Sequence, residues 1–251
     1  MTLYHGQPAP DVDGSDWALF LDIDGTLLDY ADHPEAVIVS DGLRDLLAGL
    51  ERKLGGAVAF VTGRPVATVD RLFAPLKLPA AGVFGLEHRL VPGGPVEIMG
   101  TPADLEALAD ELEAEFAEDN VYIERKGAVL GVHTRAAPHL LSRATELVEK
   151  ALARLPQGYR LLHGNIGFEL MPLEAIKGSA IRRFMMERPF AGRRPVFIGD
   201  DTTDEPGYEA ANELGGISIR VRPNGPTAAR YMLADVGTTI AWLERQLGSD
   251  G

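Results

Sequence analysis

The sequence contains no cysteine. Disulfides, thiolate metal sites and cysteine nucleophiles are therefore excluded. Basic residues are in short supply: 24 Lys and Arg face 37 Asp and Glu, a formal net charge of −13. An acidic surface repels nucleic acid and anionic membrane, so general affinity for either is not expected, although a local positive pocket stays compatible with it. No apolar stretch approaches the roughly 20 residues of a membrane span. Residues Met1 to Asp16 are polar and rich in Pro, Gly and Asp; they lack the basic start and apolar run of a signal peptide. Internal repeats and low-complexity tracts are also missing. The expectation is a soluble cytoplasmic protein that binds neither nucleic acid nor membrane.

What is present is a chain of 251 residues, 45% hydrophobic, enough for one large domain or two modest ones. Residues 17–84 read as strands alternating with helices. Ala18–Asp22 is an apolar run ending in a carboxylate, like a buried parallel strand. Leu43, Leu46, Leu47, Leu50 and Leu54 recur at helical spacing. Ala57–Val61 is a second apolar strand, and Pro65 opens a helix carrying Val66, Val69, Leu72, Phe73 and Leu76. Gly82–Phe84 reads as a third strand, followed by a turn-rich hairpin around Pro92, Gly93 and Gly94. The pattern returns after residue 173: a helix from Ser179 to Glu187, strand Val196–Ile198, a helix from Asp204 to Leu214, strand Ile217–Val221 and a closing helix Thr238–Leu247. Such alternation implies an α/β fold, a Rossmann-like doubly wound parallel sheet.

The middle reads differently. Helix Pro102–Ala117, strands Val121–Lys126 and Val129–His133, helix Pro138–Leu155, and strands Tyr159–His163 and Ile166–Met171 give αββαββ. Two hairpins most simply form an antiparallel four-stranded sheet with both helices on one face. The expected organisation is therefore a core in two parts, residues 1–100 and 173–251, with an inserted α+β domain at 101–172. A single continuous α/β domain with a long excursion is the alternative.

Chemistry-bearing residues gather at the predicted strand ends, where open α/β sheets bind ligands. Asp22-Ile23-Asp24-Gly25-Thr26 follows the first strand. One carboxylate there can attack phosphorus while the other moves protons, and Gly25 permits a sharp turn; an Asp-rich turn is the plainer reading. Thr62-Gly63-Arg64 follows the second strand, where a hydroxyl and backbone N–H groups at a helix start can hold a phosphoryl group or simply cap the helix. Lys177 opens a helix just after the middle segment; it can neutralise a phosphate or lie on a solvated surface. Gly199-Asp200-Asp201-Thr202-Thr203-Asp204-Glu205 follows the strand Val196–Ile198. Its carboxylates repel one another unless a cation or basic groups intervene. Oxygen-only ligands suit Mg²⁺, while Asp and Glu also favour a helix start.

These motifs, in this order, resemble the haloacid dehalogenase superfamily of phosphohydrolases: Asp22-x-Asp24-Gly25-Thr26, Thr62, Lys177, then Gly199-Asp200-Asp201-x-x-Asp204. Four features are similar to those of the trehalose-6-phosphate phosphatases: the run Gly199 to Glu205, Phe168-Glu169-Leu170-Met171-Pro172 before Lys177-Gly178, Glu124-x-Lys126, and the later His133. The resemblance covers nearly the whole chain from Ala18 onward, and it implies that the inserted α+β domain at 101–172 is a cap domain. One departure is Gly85-Leu86-Glu87-His88-Arg89, where those enzymes often carry Gly-x-His-Gly. The resemblance implies Mg²⁺-dependent hydrolysis of trehalose 6-phosphate through an aspartyl-phosphate. It implies Asp22 as nucleophile, Asp24 as acid and base, and Thr62 and Lys177 as holders of the phosphoryl oxygens. Asp22, the Asp24 carbonyl and Asp200 would bind Mg²⁺, with Asp201 and Asp204 supporting the metal and its waters. Arg64 matches the family pattern and is placed among the substrate-binding residues, its particular contact unassigned.

Strand alternation adds a reading of the middle segment. Val121 and Ile123 share one face of their strand, and Ile166, Phe168 and Leu170 share one face of theirs; both sets should pack under the helices. Glu124, Lys126, Glu169 and His133 are left on the open face. Carboxylates accept from vicinal hydroxyls and lysine donates to them, so this face suits a polyol; a merely solvated charged face is the alternative. Other sugar phosphatases of the superfamily, acting on sucrose phosphate or mannosyl-3-phosphoglycerate, and a phosphomutase remain competing functions. A non-catalytic sugar-phosphate sensor on this fold should lack Asp22, Asp24 or Asp200, and all three are present.

Overall fold

A computed structural model describes residues 7–12, 14–30, 37–98, 103–152, 155, 158–164 and 167–248. It divides into two compact units, Met1–Glu97 with Ile176–Gly251, and Ile98–Ala175. In chain order the elements are β1 (Gln7–Pro8), β2 (Trp17–Leu21), α1 (Asp41–Lys53), β3 (Val58–Val61), α2 (Val66–Phe73), β4 (Ala80–Gly82), β5 (Glu87–Arg89) and β6 (Glu97–Ile98). The middle supplies α3 (Ala103–Glu115), β7 (Tyr122–Lys126), β8 (Val129–His133), α4 (Leu141–Leu152), β9 (Tyr159–Gly164) and β10 (Gly167–Pro172). The last stretch supplies α5 (Lys177–Phe184), β11 (Arg194–Gly199), α6 (Glu205–Glu213), β12 (Ile217–Val221), β13 (Tyr231–Leu233) and α7 (Val236–Leu247).

Among the described residues the first unit builds one sheet of order β1-β13-β12-β11-β2-β3-β4-β5-β6. It is parallel from β1 to β4 and antiparallel between β4 and β5. The central strands β2 and β3 are buried at every residue, as expected where both faces of a parallel sheet are covered. Helix α1 begins where the Ser40 hydroxyl accepts the Leu43 N–H, carries Asp41 in its first turn and ends with Arg52 and Lys53. The cap and the end charges both complement its dipole. Its buried stripe of Leu43, Leu46, Leu47 and Leu50 is the leucine spacing visible in the sequence. The short strands β1 and β13 were not anticipated: two and three residues carry no periodic signal, and among the described residues β1 pairs with β13 and β13 with β12.

One expected strand is shifted. Gly82–Phe84 does not continue as a strand; β4 ends at Gly82, and Val83 and Phe84 adopt left-handed backbone with φ of 47° and 57°. A β-branched residue rarely does this without compensation. Here Val83 N–H bonds the Arg64 carbonyl at 3.1 Å and Phe84 N–H bonds the Thr62 carbonyl at 3.0 Å. The turn drives the Phe84 ring into the core against Gly63. Tertiary pairing with the Thr62–Arg64 loop thus outweighs the local preference for extended chain.

The neighbouring strand β5 carries two groups of structural use. Glu87 accepts the Val66 N–H at 2.6 Å, satisfying a first-turn donor of α2, which Pro65 leaves without a side-chain cap. His88 is buried against Phe184, with ring centroids 4.4 Å apart. Ala180 lies beside it without hydrogen-bond geometry, and neither ring nitrogen has a partner among the described residues. Burial, then the nearby Arg183, lowers the imidazole to about 4. A base lowered in this way is neutral in the fold but protonated in the unfolded chain below its ordinary value. Stability is therefore complete above about pH 6.5 and is lost as pH falls from there toward 4, with roughly 2 kcal/mol gone by pH 5. His88→Leu should remove that part of the acid sensitivity. Denaturant midpoints at pH 7.5 and 5 check this; an identical pH dependence in both proteins contradicts it.

The second unit has the expected αββαββ order and an antiparallel sheet β7-β8-β10-β9. Leu130, Val132, Phe168 and Leu170 pack with Leu105, Leu108 and Leu112 of α3 and Ala144 and Val148 of α4. Pro102, residues 153–154 and Ile166 lie outside the described residues. No helix among the described residues is long and apolar enough to cross a membrane.

Candidate active site

In the first unit, β11, β2 and β3 are neighbours in the sheet, and the acidic and Thr-Gly-Arg motifs follow their carboxyl ends. Asp22 comes immediately after β2 and is tied to β11 by its N–H on the Ile198 carbonyl, 2.9 Å. The chain then turns back: Leu27 and Leu28 N–H groups reach the Ile23 carbonyl, and Gly25 N–H reaches the Leu28 carbonyl at 2.7 Å. Gly25 has φ of +77°, and a Cβ there would lie 2.0 Å from Asp200 Oδ2. Both facts require glycine. At Gly199 a Cβ would lie 2.3 Å from Asp204 Cγ, so the acidic loop also depends on close backbone approach.

Lys177, the first residue of α5, is buried between two carboxylates: Nζ lies 2.8 Å from Asp22 Oδ1 and 2.7 Å from Asp204 Oδ1. Burial alone would lower this ammonium, but Asp204 and Asp22 outweigh it and hold its pKa above the ordinary value, so it stays charged. The carboxylates move the other way. Burial raises Asp22 well above the usual range, and Asp204 and Asp200 add to the shift against the pull of Lys177. Asp200 is pushed up to about 7, first by burial and then by Asp204. One ammonium is thus set against three crowded carboxylates, and the surplus is negative.

Atoms of Asp22, Asp200 and Asp204 lie within 4.8 Å of one another, a group that could hold a metal ion. Their oxygens are not equally available. Asp204 is already engaged: Oδ1 takes Lys177, and Oδ2 accepts the N–H groups of Asp200 and Asp201, each at 3.0 Å. Asp201 caps the 3₁₀ turn at Thr202–Asp204, accepting the Thr202 N–H at 2.6 Å. Asp200 differs. Its Oδ2 accepts the Tyr30 hydroxyl at 3.0 Å, whereas its Oδ1 is buried with no partner among the described residues. An orphaned carboxylate oxygen beside surplus negative charge, in an all-oxygen donor set, fits a hard divalent cation.

Asp24 is gripped by a guanidinium fork. Arg64 Nε lies 2.7 Å from Asp24 Oδ2 and Nη2 lies 2.6 Å from Oδ1. The planar fork fixes the carboxylate plane, which an ammonium would not do. Thr62 is buried, and its Oγ1 accepts the Arg64 N–H at 3.2 Å, leaving the hydroxyl proton free to be donated elsewhere.

In the second unit the other four candidates form one network. Lys126 Nζ lies 2.7 Å from Glu169 Oε1 and 3.2 Å from Glu124 Oε2, and His133 Nε2 lies 2.8 Å from Glu124 Oε2. The register explains the meeting: Glu124 and Glu169 both pair with Gly131, which places no side chain between them. Burial alone would raise the Glu124 carboxyl, but His133 and Lys126 outweigh it and bring it down to about 2. Lys126 is 8% exposed, so the charges on this face are turned toward one another rather than into solvent. The Tyr122 ring stacks on His133 with centroids 5.6 Å apart.

Sequence reasoning missed Tyr30, and it placed Arg64 among the substrate-binding residues without finding its fork on Asp24. The partner of Tyr30 is 170 residues away and that of Arg64 is 40 away, so no local pattern marks either contact.

The C-terminal domain of the Candida albicans trehalose-6-phosphate phosphatase superposes with a TM-score of 0.78 at 20% identity, covering 94% of this chain and 93% of that one. A mixed α/β unit with a largely parallel sheet, together with a separate α+β unit, is the fold of the haloacid dehalogenase-type phosphatases. The family model for trehalose-phosphatase matches residues 20–236. The chain is 45% identical over 221 residues to a probable trehalose-phosphate phosphatase of Sinorhizobium fredii (strain NBRC 101917 / NGR234), covering 88% of this chain and 83% of that protein. It is 36% identical over 230 residues to the trehalose-6-phosphate phosphatase of Escherichia coli (strain K12), covering 91% and 85%. The chain belongs to the trehalose-phosphatase family, whose members are phosphoric monoester hydrolases.

Proposed function

We propose that the chain hydrolyses trehalose 6-phosphate to trehalose and inorganic phosphate through an aspartyl-phosphate on Asp22. The observation that carries this reading is the placement of the buried Asp22 carboxylate, 2.8 Å from the Lys177 ammonium at the end of β2. Asp22 attacks phosphorus while the bond from phosphorus to the sugar oxygen breaks, and Asp24, having left the Arg64 fork and taken a proton from solvent, gives that oxygen its proton. Asp24, now anionic, takes a proton from water; the water oxygen attacks phosphorus, the bond to Asp22 breaks, and phosphate leaves with the carboxylate restored. Lys177 and Thr62 hold the phosphoryl oxygens, and Arg64 keeps Asp24 oriented in the free enzyme. Positioning and charge neutralisation of this kind are most of what phosphoryl transfer needs.

A Mg²⁺ ion would be held by Asp22, the Asp24 carbonyl and Asp200; when bound it neutralises phosphoryl charge. Asp204 and Asp201 maintain the loop that presents Asp200. Glu124, Lys126, Glu169 and His133 are assigned to the sugar hydroxyls, because the phosphoryl-binding groups meet only what every sugar phosphate shares. The reaction is assigned to the cytoplasm, with which a cysteine-free acidic chain is compatible.

Phosphate release from a panel of trehalose 6-phosphate, sucrose 6-phosphate, mannosyl-3-phosphoglycerate and glucose 6-phosphate tests the substrate. Trehalose 6-phosphate should show the highest kcat/KM. Glu169→Ala should lower it at least about tenfold, roughly 1.4 kcal/mol, with much less effect on p-nitrophenyl phosphate. Preference for another sugar phosphate contradicts the substrate. Return of the phosphoryl group to the sugar makes the chain a mutase. Equal losses on both esters remove Glu169 from sugar recognition.

A further inference from the structure

Tyr30 stands just beyond the turn after Asp24, and several contacts fix its segment. Asp24 and Leu28 form a bridge, reinforced by the Gly25 N–H on the Leu28 carbonyl at 2.7 Å. Asp29 pairs with Arg222, which directly succeeds β12. Arg222 is held in left-handed backbone with φ of 52°, an arrangement costly for a residue with a Cβ, and its N–H is anchored on the Leu233 carbonyl at 3.0 Å. Strain kept at a site border points to a use for the groups it positions. Tyr30 is the next residue after Asp29, and its hydroxyl reaches Asp200 Oδ2 at 3.0 Å.

The two oxygens of Asp200 are thereby made different. Oδ2 accepts the phenol and sits against the backbone at Gly25; Oδ1 is buried and has no partner among the described residues. A carboxylate without an outer donor can rotate and offer either oxygen, or both. A donor fixed on one oxygen sets its plane and leaves the other to the cation, which is how outer contacts tune metal sites. The phenol serves only as a donor here, since burial, Asp200 and Asp22 raise its pKa above the ordinary value.

We propose that Tyr30 is a positioning residue for the divalent cation: it orients Asp200 by holding Oδ2, so that Oδ1 alone is presented as the ligand. This rests on the Mg²⁺ reading above. It is tested on the full chain without substrate by calorimetric titration of Mg²⁺ into wild type and Tyr30→Phe, with melting temperatures taken with and without Mg²⁺. The phenylalanine keeps the exposed ring and removes only the donor. Tyr30→Phe should weaken the Mg²⁺ Kd by about tenfold or more, leave the metal-free Tm unchanged, and shrink the Mg²⁺-induced rise in Tm. The Mg²⁺ concentration for half-maximal phosphatase activity should rise by the same factor as the Kd. Wild type that binds no Mg²⁺ overturns the metal reading and this inference together. Wild type that binds while Tyr30→Phe binds equally or more tightly overturns the role of Tyr30 alone. A drop in metal-free Tm with an unchanged Kd makes the contact a folding contact and likewise overturns it.

Discussion

An Asp22→Asn chain should fold, melt no lower than wild type in the absence of metal, and hydrolyse phosphate esters at least about 10⁴-fold more slowly, the scale of loss when a nucleophile is removed. The catalytic half comes from chemistry: the amide has nearly the carboxylate's shape but does not attack phosphorus. The stability half comes from the charge balance. Asp22 shares the buried Lys177 with Asp204, while Asp200 adds a third negative group nearby. Removing one partner of a buried pair is usually destabilising because the other is stranded. Here Lys177 keeps Asp204 at 2.7 Å, and the substitution removes surplus negative charge. A thermal melt in chelator together with a phosphate-release assay checks both halves. Substantial turnover by pure, non-deamidated variant removes Asp22 as nucleophile, and a marked fall in Tm shows that its charge is needed by the fold.

Exhaustive chelation should lower activity by at least about 100-fold, and added Mg²⁺ should restore it. Three carboxylates around one ammonium and an Asp200 Oδ1 without a partner among the described residues motivate the expectation. Ca²⁺ should inhibit rather than replace Mg²⁺, because its larger and looser coordination would draw Asp22 out of line. Full activity after chelation would count decisively against a metal at this site. Support of turnover by Ca²⁺ equal to that by Mg²⁺ would count against the role given to coordination geometry.

The sequence showed most clearly what depends on burial and period. β2, β3 and β11 were visible as short apolar runs because the sheet is covered on both faces, and their ends located Asp22, Thr62 and Asp200 without any knowledge of side-chain contacts. Alternation separated the apolar and charged faces of β7 and β10. The mutual pairing that buries Lys126 to 8% exposure was not visible, since it depends on the register of three strands across Gly131. What long-range contacts decide was hidden. The left-handed turn at Val83–Phe84 is imposed by bonds to Thr62 and Arg64. The fork of Arg64 on Asp24 and the phenol of Tyr30 on Asp200 join segments that no local window contains. Asp204 read as a supporter of the metal; its hydrogen bonds hold Lys177 and the loop backbone at once.

The nucleophile can be observed directly. Wild type mixed with Mg²⁺ and trehalose 6-phosphate, quenched in acid within a turnover and digested, should yield the peptide containing Asp22 with one added phosphoryl mass, and Asp22→Asn treated alike should yield none. Phosphate release from wild type with that peptide always unmodified, or with the phosphoryl group on a different residue, would contradict the mechanism proposed for this site.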